Sequence, residues 1–317
     1  GEDGGQGIEV AIAGTSLDAY FGLAFDGDAA VAVGARGAVA TSTDGGITWQ
    51  ASESAASDVA LLAVAAHDAH RMAVGQLGRV IVSSGGGPWT AVSSGTDQRL
   101  FGVDFNASGV AAIAGSFGTI LVSEDGGTTW RTSTTDWTAV NEFGAAPHLY
   151  DAHVDETGAI TLVGEFGLVM RSADRGATWQ VLNKGEASLF DLELRPDGVG
   201  FAVGQQGTLL RTGDGGQTWT AVDTGSEKIL LGVSSTPGGR VVVCGMRTLL
   251  VSEDGGATWH EDTRGDFAMS WYQRVKAFDG DRAALVAGHA GRIVSIRGSR
   301  APATPGTTKE ENRNEST

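Results

Sequence analysis

Short apolar runs recur along this chain, separated by polar punctuation at nearly constant spacing. A run closing on a glycine appears as "VAVGARG", "MAVGQLG", "AIAGSFG", "TLVGEFG", "FAVGQQG", "VVCGMRT" and "LVAGHAG". The first glycines are Gly34, Gly75, Gly115, Gly164, Gly204, Gly245 and Gly288, 40 to 49 residues apart. A second glycine follows three positions later except in the sixth copy, where Thr248 replaces it. In the first six copies a tryptophan follows after 14 or 15 residues: Trp49, Trp89, Trp130, Trp179, Trp219 and Trp259. Another apolar segment precedes each glycine pair, as in "YFGLAF", "LFGVDF" and "LFDLEL". Each unit therefore reads as strand, turn, strand, Gly-x-x-Gly, strand, Ser-x-Asp turn, and a strand beginning with Trp. Four antiparallel strands per repeat of about 40 residues make the blade of a β-propeller. Seven copies predict an all-β, seven-bladed β-propeller.

Ring closure is a matter of counting. The seventh copy ends after "GRIVSIRG" without a Trp-bearing fourth strand. Trp89 precedes Phe101 by 12 residues, and the same step back from Phe21 reaches Glu9. The N-terminal "GIEVAIAG" is thus expected to complete blade seven, which removes a fraying seam. Residues 7–298 form one propeller domain on this reading. The polar stretch 299–317 reads as a disordered tail.

Composition supports many tight turns, with 49 glycines against 6 prolines. A net charge of −16 argues against nucleic acid, which needs a Lys/Arg excess. The one cysteine, Cys244, lies in the apolar run "RVVVCGM", which rules out an internal disulfide and reads as a buried bystander. No run is long enough to span a bilayer, so direct membrane insertion is not expected. "GEDGGQG" has neither a basic region nor an apolar core, so a targeting peptide has been removed or the terminus is engineered.

The pattern Ser/Thr-x-Asp-x-Gly-x-Thr-Trp stands as "STDGGITW", "SEDGGTTW", "SADRGATW", "TGDGGQTW" and "SEDGGATW", and the second copy has decayed to "SSGGGPW". Its structural residues are Asp44 with Trp49, Asp125 with Trp130, Asp174 with Trp179, Asp214 with Trp219 and Asp254 with Trp259. An Asp carboxylate can gather backbone N–H groups across a tight turn, glycine supplies positive φ, and the Trp buries a large flat surface. These are Asp-boxes, the bacterial-neuraminidase repeat. Coupled to the Gly-x-x-Gly lead-in, the whole unit resembles the photosystem II assembly and stability factor family, over about residues 20 to 297. That resemblance implies an extracytoplasmic, non-enzymatic scaffold or assembly factor for a membrane-protein complex, in the periplasm for a bacterial member. It further suggests a monomer without cofactors, and an accessory to a transporter where no photosystem exists.

Catalytic candidates are thin. A sialidase needs three arginines on a carboxylate and a Tyr/Glu pair, but the tyrosines are only Tyr20, Tyr150 and Tyr272. The rival reading is a carbohydrate-active propeller, either a lectin or a glycosidase with two acids across a cleft. Its best pair is Asp151 and Asp191, at one register of adjacent blades. His67 with His70, and His148 with Asp151 and His153, are the closest approaches to metal-ligand sets, and no metal is expected from them.

Departures from the repeat are more informative. The turn after strand two and the interblade link share one face of a propeller, while the Asp-box turns occupy the other. The second variable residue of each Gly-x-x-Gly turn forms a ring: Arg36, Leu77, Phe117, Phe166, Gln206, Arg247 and Ala290. Leu77, Phe117 and Phe166 put large apolar tips on consecutive blades. The widened link 131–150 adds Trp137 and Phe143. Together they suggest a protein-binding patch. A second candidate is basic, with Arg171 and Arg211 at one register and Arg175 and Arg195 nearby.

Overall fold

The computed structural model describes residues 7–56 and 58–298; the expected tail, 299–317, lies outside them. Within them the backbone forms seven four-stranded antiparallel sheets arranged in a ring. The inner strands are Tyr20–Asp26, Leu61–His67, Leu100–Phe105, Leu149–Val154, Leu189–Leu194, Leu230–Ser235 and Tyr272–Ala277. Blade three shows the common order: Leu100–Phe105, Ala111–Gly115, Ile120–Ser123 and Arg131–Ser133 from axis to rim. Blade seven takes its outermost strand from the other end of the chain. Ile8–Ile12 pairs antiparallel with Ile293–Arg297.

Two boundary details differ from the sequence expectation. Outer strands begin one residue after the Trp, as in Gln50–Ser52 and Arg131–Ser133. The closing strand puts Ile8, not Glu9, at the Trp position, because Glu9 pairs with Ser295 as Gln50 pairs with Thr41. Strand alternation explains the choice, since Ile8 is buried and Glu9 is exposed.

The core lies between blades. Among the described residues, seven apolar clusters each join two neighbours around the ring. Each box Trp packs on such a seam, Trp130 for instance against the cluster of blades two and three. Its indole donates back to Gly127 O at 3.1 Å, which turns the ring over its own hairpin and delays the strand. Trp179 differs by donating to Ser133 Oγ of the preceding blade at 2.9 Å.

The box is a carboxylate clamp. Asp125 Oδ1 accepts Thr128 N at 3.0 Å, Thr129 N at 2.9 Å and Ser123 Oγ at 2.7 Å, while Oδ2 accepts Thr129 Oγ at 2.6 Å. Led by the Thr129 hydroxyl, these donors hold the carboxyl down at about 2. Asp174, Asp214 and Asp254 are held down to about 2 in the same way, and Asp44 is also depressed. Blade two lacks the Asp, and there Ser83 Oγ donates to Gly87 O at 2.6 Å.

The Gly-x-x-Gly turn has an equally specific cause. A Cβ at Gly204 would stand 1.8 Å from Ser188 O, and at Gly34 1.8 Å from Ala19 O. The second glycine has positive φ, +66° at Gly207. In blade six, Gly245 pairs directly with Thr248, so a two-residue turn replaces the usual one. That shorter turn accounts for the 14-residue step to Trp259.

Two outcomes follow. Gly204→Ala forces a backbone shift and lowers stability by at least about 2 kcal/mol, whereas Gly185→Ala, whose Cβ would meet only Gly167 Cα at 4.0 Å, leaves the melting temperature within error. Acid sensitivity has a definite sign. Box carboxylates stabilise the fold above their ordinary value near 3.8, and the contribution is lost as pH falls toward about 2. Thermal melts should show a shallower acid loss in Asp254→Ala than in wild type, and parallel curves would contradict the clamp.

Candidate functional site

Antiparallel connectivity sorts the turns onto two faces. On one, each tip bonds the interblade link beside it: Gly118 N donates to Pro147 O at 2.7 Å, Gly207 N to Lys228 O at 2.8 Å and Arg247 N to Ser270 O at 2.8 Å. On the other, box turns bond the turns between first and second strands, as Gly126 N does to Gly109 O at 2.9 Å. These are called the tip face and the box face below.

All seven ring positions occupy the left-handed region, from φ 51° at Ala290 to 61° at Phe166. The turn dictates that conformation, and glycine or asparagine would adopt it with least strain. Leu77 and Phe117 are each 68% exposed and Phe166 is 40% exposed. Phe143 in the widened link is 87% exposed. Trp137 separates from them. It opens a short 3-10 turn, Trp137–Ala139, capped by Asp136, and lies over Gly118 and the core of blades three and four.

The structure adds a feature that alternation alone did not give. Every inner strand carries a register shift at its start, for example between Leu100 and Gly102 and between Leu189 and Asp191. A bulge frees one residue from the ladder and re-aims its side chain. Six of the seven freed residues, Phe21, Leu62, Phe101, Tyr150, Phe190 and Gln273, line a cavity of about 190 Å³. Phe101 and Tyr150 lie 5.3 Å apart by ring centroids, and Tyr150 and Phe190 5.0 Å. His148 connects this mouth to the rim, since its ring meets Phe117 at 4.7 Å and its Nδ1 accepts Phe117 N at 3.1 Å. Burial and the nearby charge of Glu165 both push the Tyr150 phenol up. The only sequence signal was the second letter of "YFGLAF", "LFGVDF" and "LFDLEL".

Deeper in the channel the acids serve the fold. Asp151 Oδ2 accepts Leu192 N of the next blade at 3.1 Å, and Asp191 Oδ2 accepts Val233 N at 2.8 Å. The two carboxyls lie close enough for the charge of one to act on the other, with Arg274 Nε 3.7 Å from Asp191 Oδ1. Burial, reinforced by the charge of Asp191, raises Asp151 well above the carboxylate range.

The remaining candidates are dispersed. His67 and His70 face each other across a hairpin, His153 Nδ1 lies 3.1 Å from Asp104 Oδ2, and His148 is on the tip face. Among the described residues no three His, Cys, Asp or Glu side chains converge as a metal set. Arg171 and Arg211 sit at the box end of their strands, away from the aromatic tips. Arg171 pairs with Asp155 at 3.0 Å, Arg175 with Glu124 at 2.9 Å and Arg195 with Asp197 at 2.6 Å. Three of the four arginines therefore already hold internal carboxylates.

Box, blade count and closure define an Asp-box seven-bladed β-propeller, with an aromatic mouth on the tip face. The model for the BNR/Asp-box repeat matches residues 40–51. Among solved structures, YCF48 bound to D1 peptide is 18% identical, with a TM-score of 0.71 over 93% of this chain and 98% of that one. YCF48 from Cyanidioschyzon merolae is 20% identical, with a TM-score of 0.72 over 92% and 98%. The WD40 β-propeller domain of Doa1 is 14% identical, with a TM-score of 0.69 over 93% and 98%. No curated protein matches the sequence.

The acid pair gives a prediction of opposite sign to the boxes. A carboxyl whose folded pKa is raised stabilises most below its unfolded value and loses that contribution as pH rises through the folded one. Asp151→Asn should therefore melt progressively higher relative to wild type from acid to alkaline pH. A constant offset would show that Asp151 does not hold its proton in the fold.

Proposed function

We propose that this chain is a non-catalytic propeller that binds an apolar segment of a membrane-protein partner on its tip face. The observation that carries the reading is the aromatic run from Phe117 through His148 to Phe101, Tyr150 and Phe190. It joins an exposed tip to a concave mouth, so an extended segment can lie across the rim and place a side chain in the opening. Bulky side chains persist at Leu77, Phe117 and Phe166 despite a conformation better suited to glycine. Strain of this kind points to use of the side chain. The shared fold with YCF48, one of whose structures holds a D1 peptide, supports an assembly-factor role. In a cell without photosystems the same surface serves another membrane complex, such as a transporter, from the extracytoplasmic side.

Immobilised wild type, Phe117→Gly/Phe166→Gly and Gln206→Gly are compared for capture of detergent-solubilised membrane proteins. Removing each left-handed side chain relieves about 1 kcal/mol of strain, so none of the variants melts below wild type. The double variant loses partners that Gln206→Gly retains. Equal capture by all three would overturn the reading.

A further inference from the structure

Exposed apolar side chains are distributed unevenly over the molecule. Among the described residues ten large apolar side chains are exposed, and eight of them lie on the tip face. The exceptions are Val10 on the closing strand and Ile47 in a box turn. Leu77, Phe117, Phe143 and Phe166 account for blades two to four. The other four, Leu17, Ile229, Met246 and Met269, belong to blades whose ring position is polar or small.

Their places follow the tips. Leu17, 74% exposed, sits in the link from blade seven to blade one. That link meets the Ala290 tip, with Gly14 N donating to Ala290 O at 2.9 Å, and its Asp18 pairs with Arg36 of the next tip. Ile229 follows Lys228, whose carbonyl accepts Gly207 N beside the Gln206 tip. Met246 shares the turn of Arg247, and Met269, 74% exposed, precedes Ser270, whose carbonyl accepts Arg247 N at 2.8 Å. A polar or small tip is thus accompanied by an exposed apolar neighbour in every case, and the apolar groups form a circle. Singly scattered surface hydrophobics would not track the blades in this way.

The shape of the circle selects its occupant. An extended peptide crosses a ring along one chord and leaves the remainder in water. Every tip rises from the same first ladder pair, as Leu189 with Gly204, so the tips end at one level and a flat surface meets them together. Charge agrees with such a surface. Two of the seven ring positions are arginine and none is acidic, in a chain of 38 Asp and Glu against 22 Lys and Arg. Arginines set among apolar side chains suit phosphate oxygens lying above hydrocarbon.

We propose that the tip face rests on a phospholipid bilayer, its apolar circle set among the headgroups and the propeller axis along the membrane normal. The contact is one side chain deep and spans nothing, and no helix among the described residues is long and apolar enough to cross a membrane. Docking on lipid does not require the peptide-binding reading, and vesicles free of protein separate the two.

The test is flotation of the full chain with phosphatidylcholine vesicles. Wild type floats with the lipid, and high salt changes the bound fraction little, because the attraction is apolar. Leu17→Ser/Met269→Ser binds roughly tenfold more weakly, as two such side chains kept in water imply, and both positions are exposed enough to leave folding intact. Val10→Ser/Ile47→Ser, off this face, floats like wild type. Wild type left in the soluble fraction, equal flotation of the Leu17→Ser/Met269→Ser variant, or binding confined to anionic vesicles and abolished by salt would each overturn the docking. So would a wild-type dimer in light scattering that Leu17→Ser/Met269→Ser dissociates, since a second copy would then cover the circle.

Discussion

One backbone contact, repeated seven times, organises the functional face. The carbonyl just before each inner strand approaches the first tip glycine too closely for any Cβ, and it accepts the N–H of the following residue, as Ser188 O does from Gln205 at 2.9 Å. The contact locks the interblade link onto the tip, which fixes the tip in its left-handed turn. It also pins the first pair of each inner ladder, Leu189 with Gly204, and the bulge follows immediately after. Exposed tips and aromatic mouth are therefore consequences of one constraint. Blade six, with Thr248 for the second glycine, keeps the carbonyl contact and changes only the turn beyond it.

The propeller was legible because its determinants are local and repeated. Gly-x-x-Gly and the Asp-box each specify a turn within a few residues, and their alternation counts the blades. Even the closing strand could be placed, to within the one residue between Glu9 and Ile8. The mouth was not legible, since a bulge shifts the parity on which strand reading depends. Phe101 and Phe190 sit at such shifts, inside segments that the sequence shows only as apolar runs. Nor does sequence reveal that Asp151 and Asp191 reach backbone groups of the next blade, about 40 residues away. The partners of the arginines were not legible for a similar reason, because the carboxylate on Arg175 comes from Glu124 in another blade.

Charge and apolar surface are segregated along the axis. Aromatic residues line the tip-face opening, and ionisable groups line the interior. Arg274 borders both cavities and marks the transition between them. The two kinds of acid also respond oppositely to pH. Box carboxylates are exposed and gain from ionisation, while the inner pair is buried and gains from retaining a proton. Rim and axis are thus held by different electrostatics within the same blade.

Completion of blade seven by Ile8–Ile12 has a kinetic consequence. Ile8 finds its ladder partner at Ile296, almost a full chain length away. During synthesis the first strand emerges long before its partner, and six blades can stack in order while the seventh still lacks its rim. Contacts of such high sequence separation form late and slowly. Closure of the ring by its two ends is therefore the contact expected to limit folding, since it carries the largest loop to close.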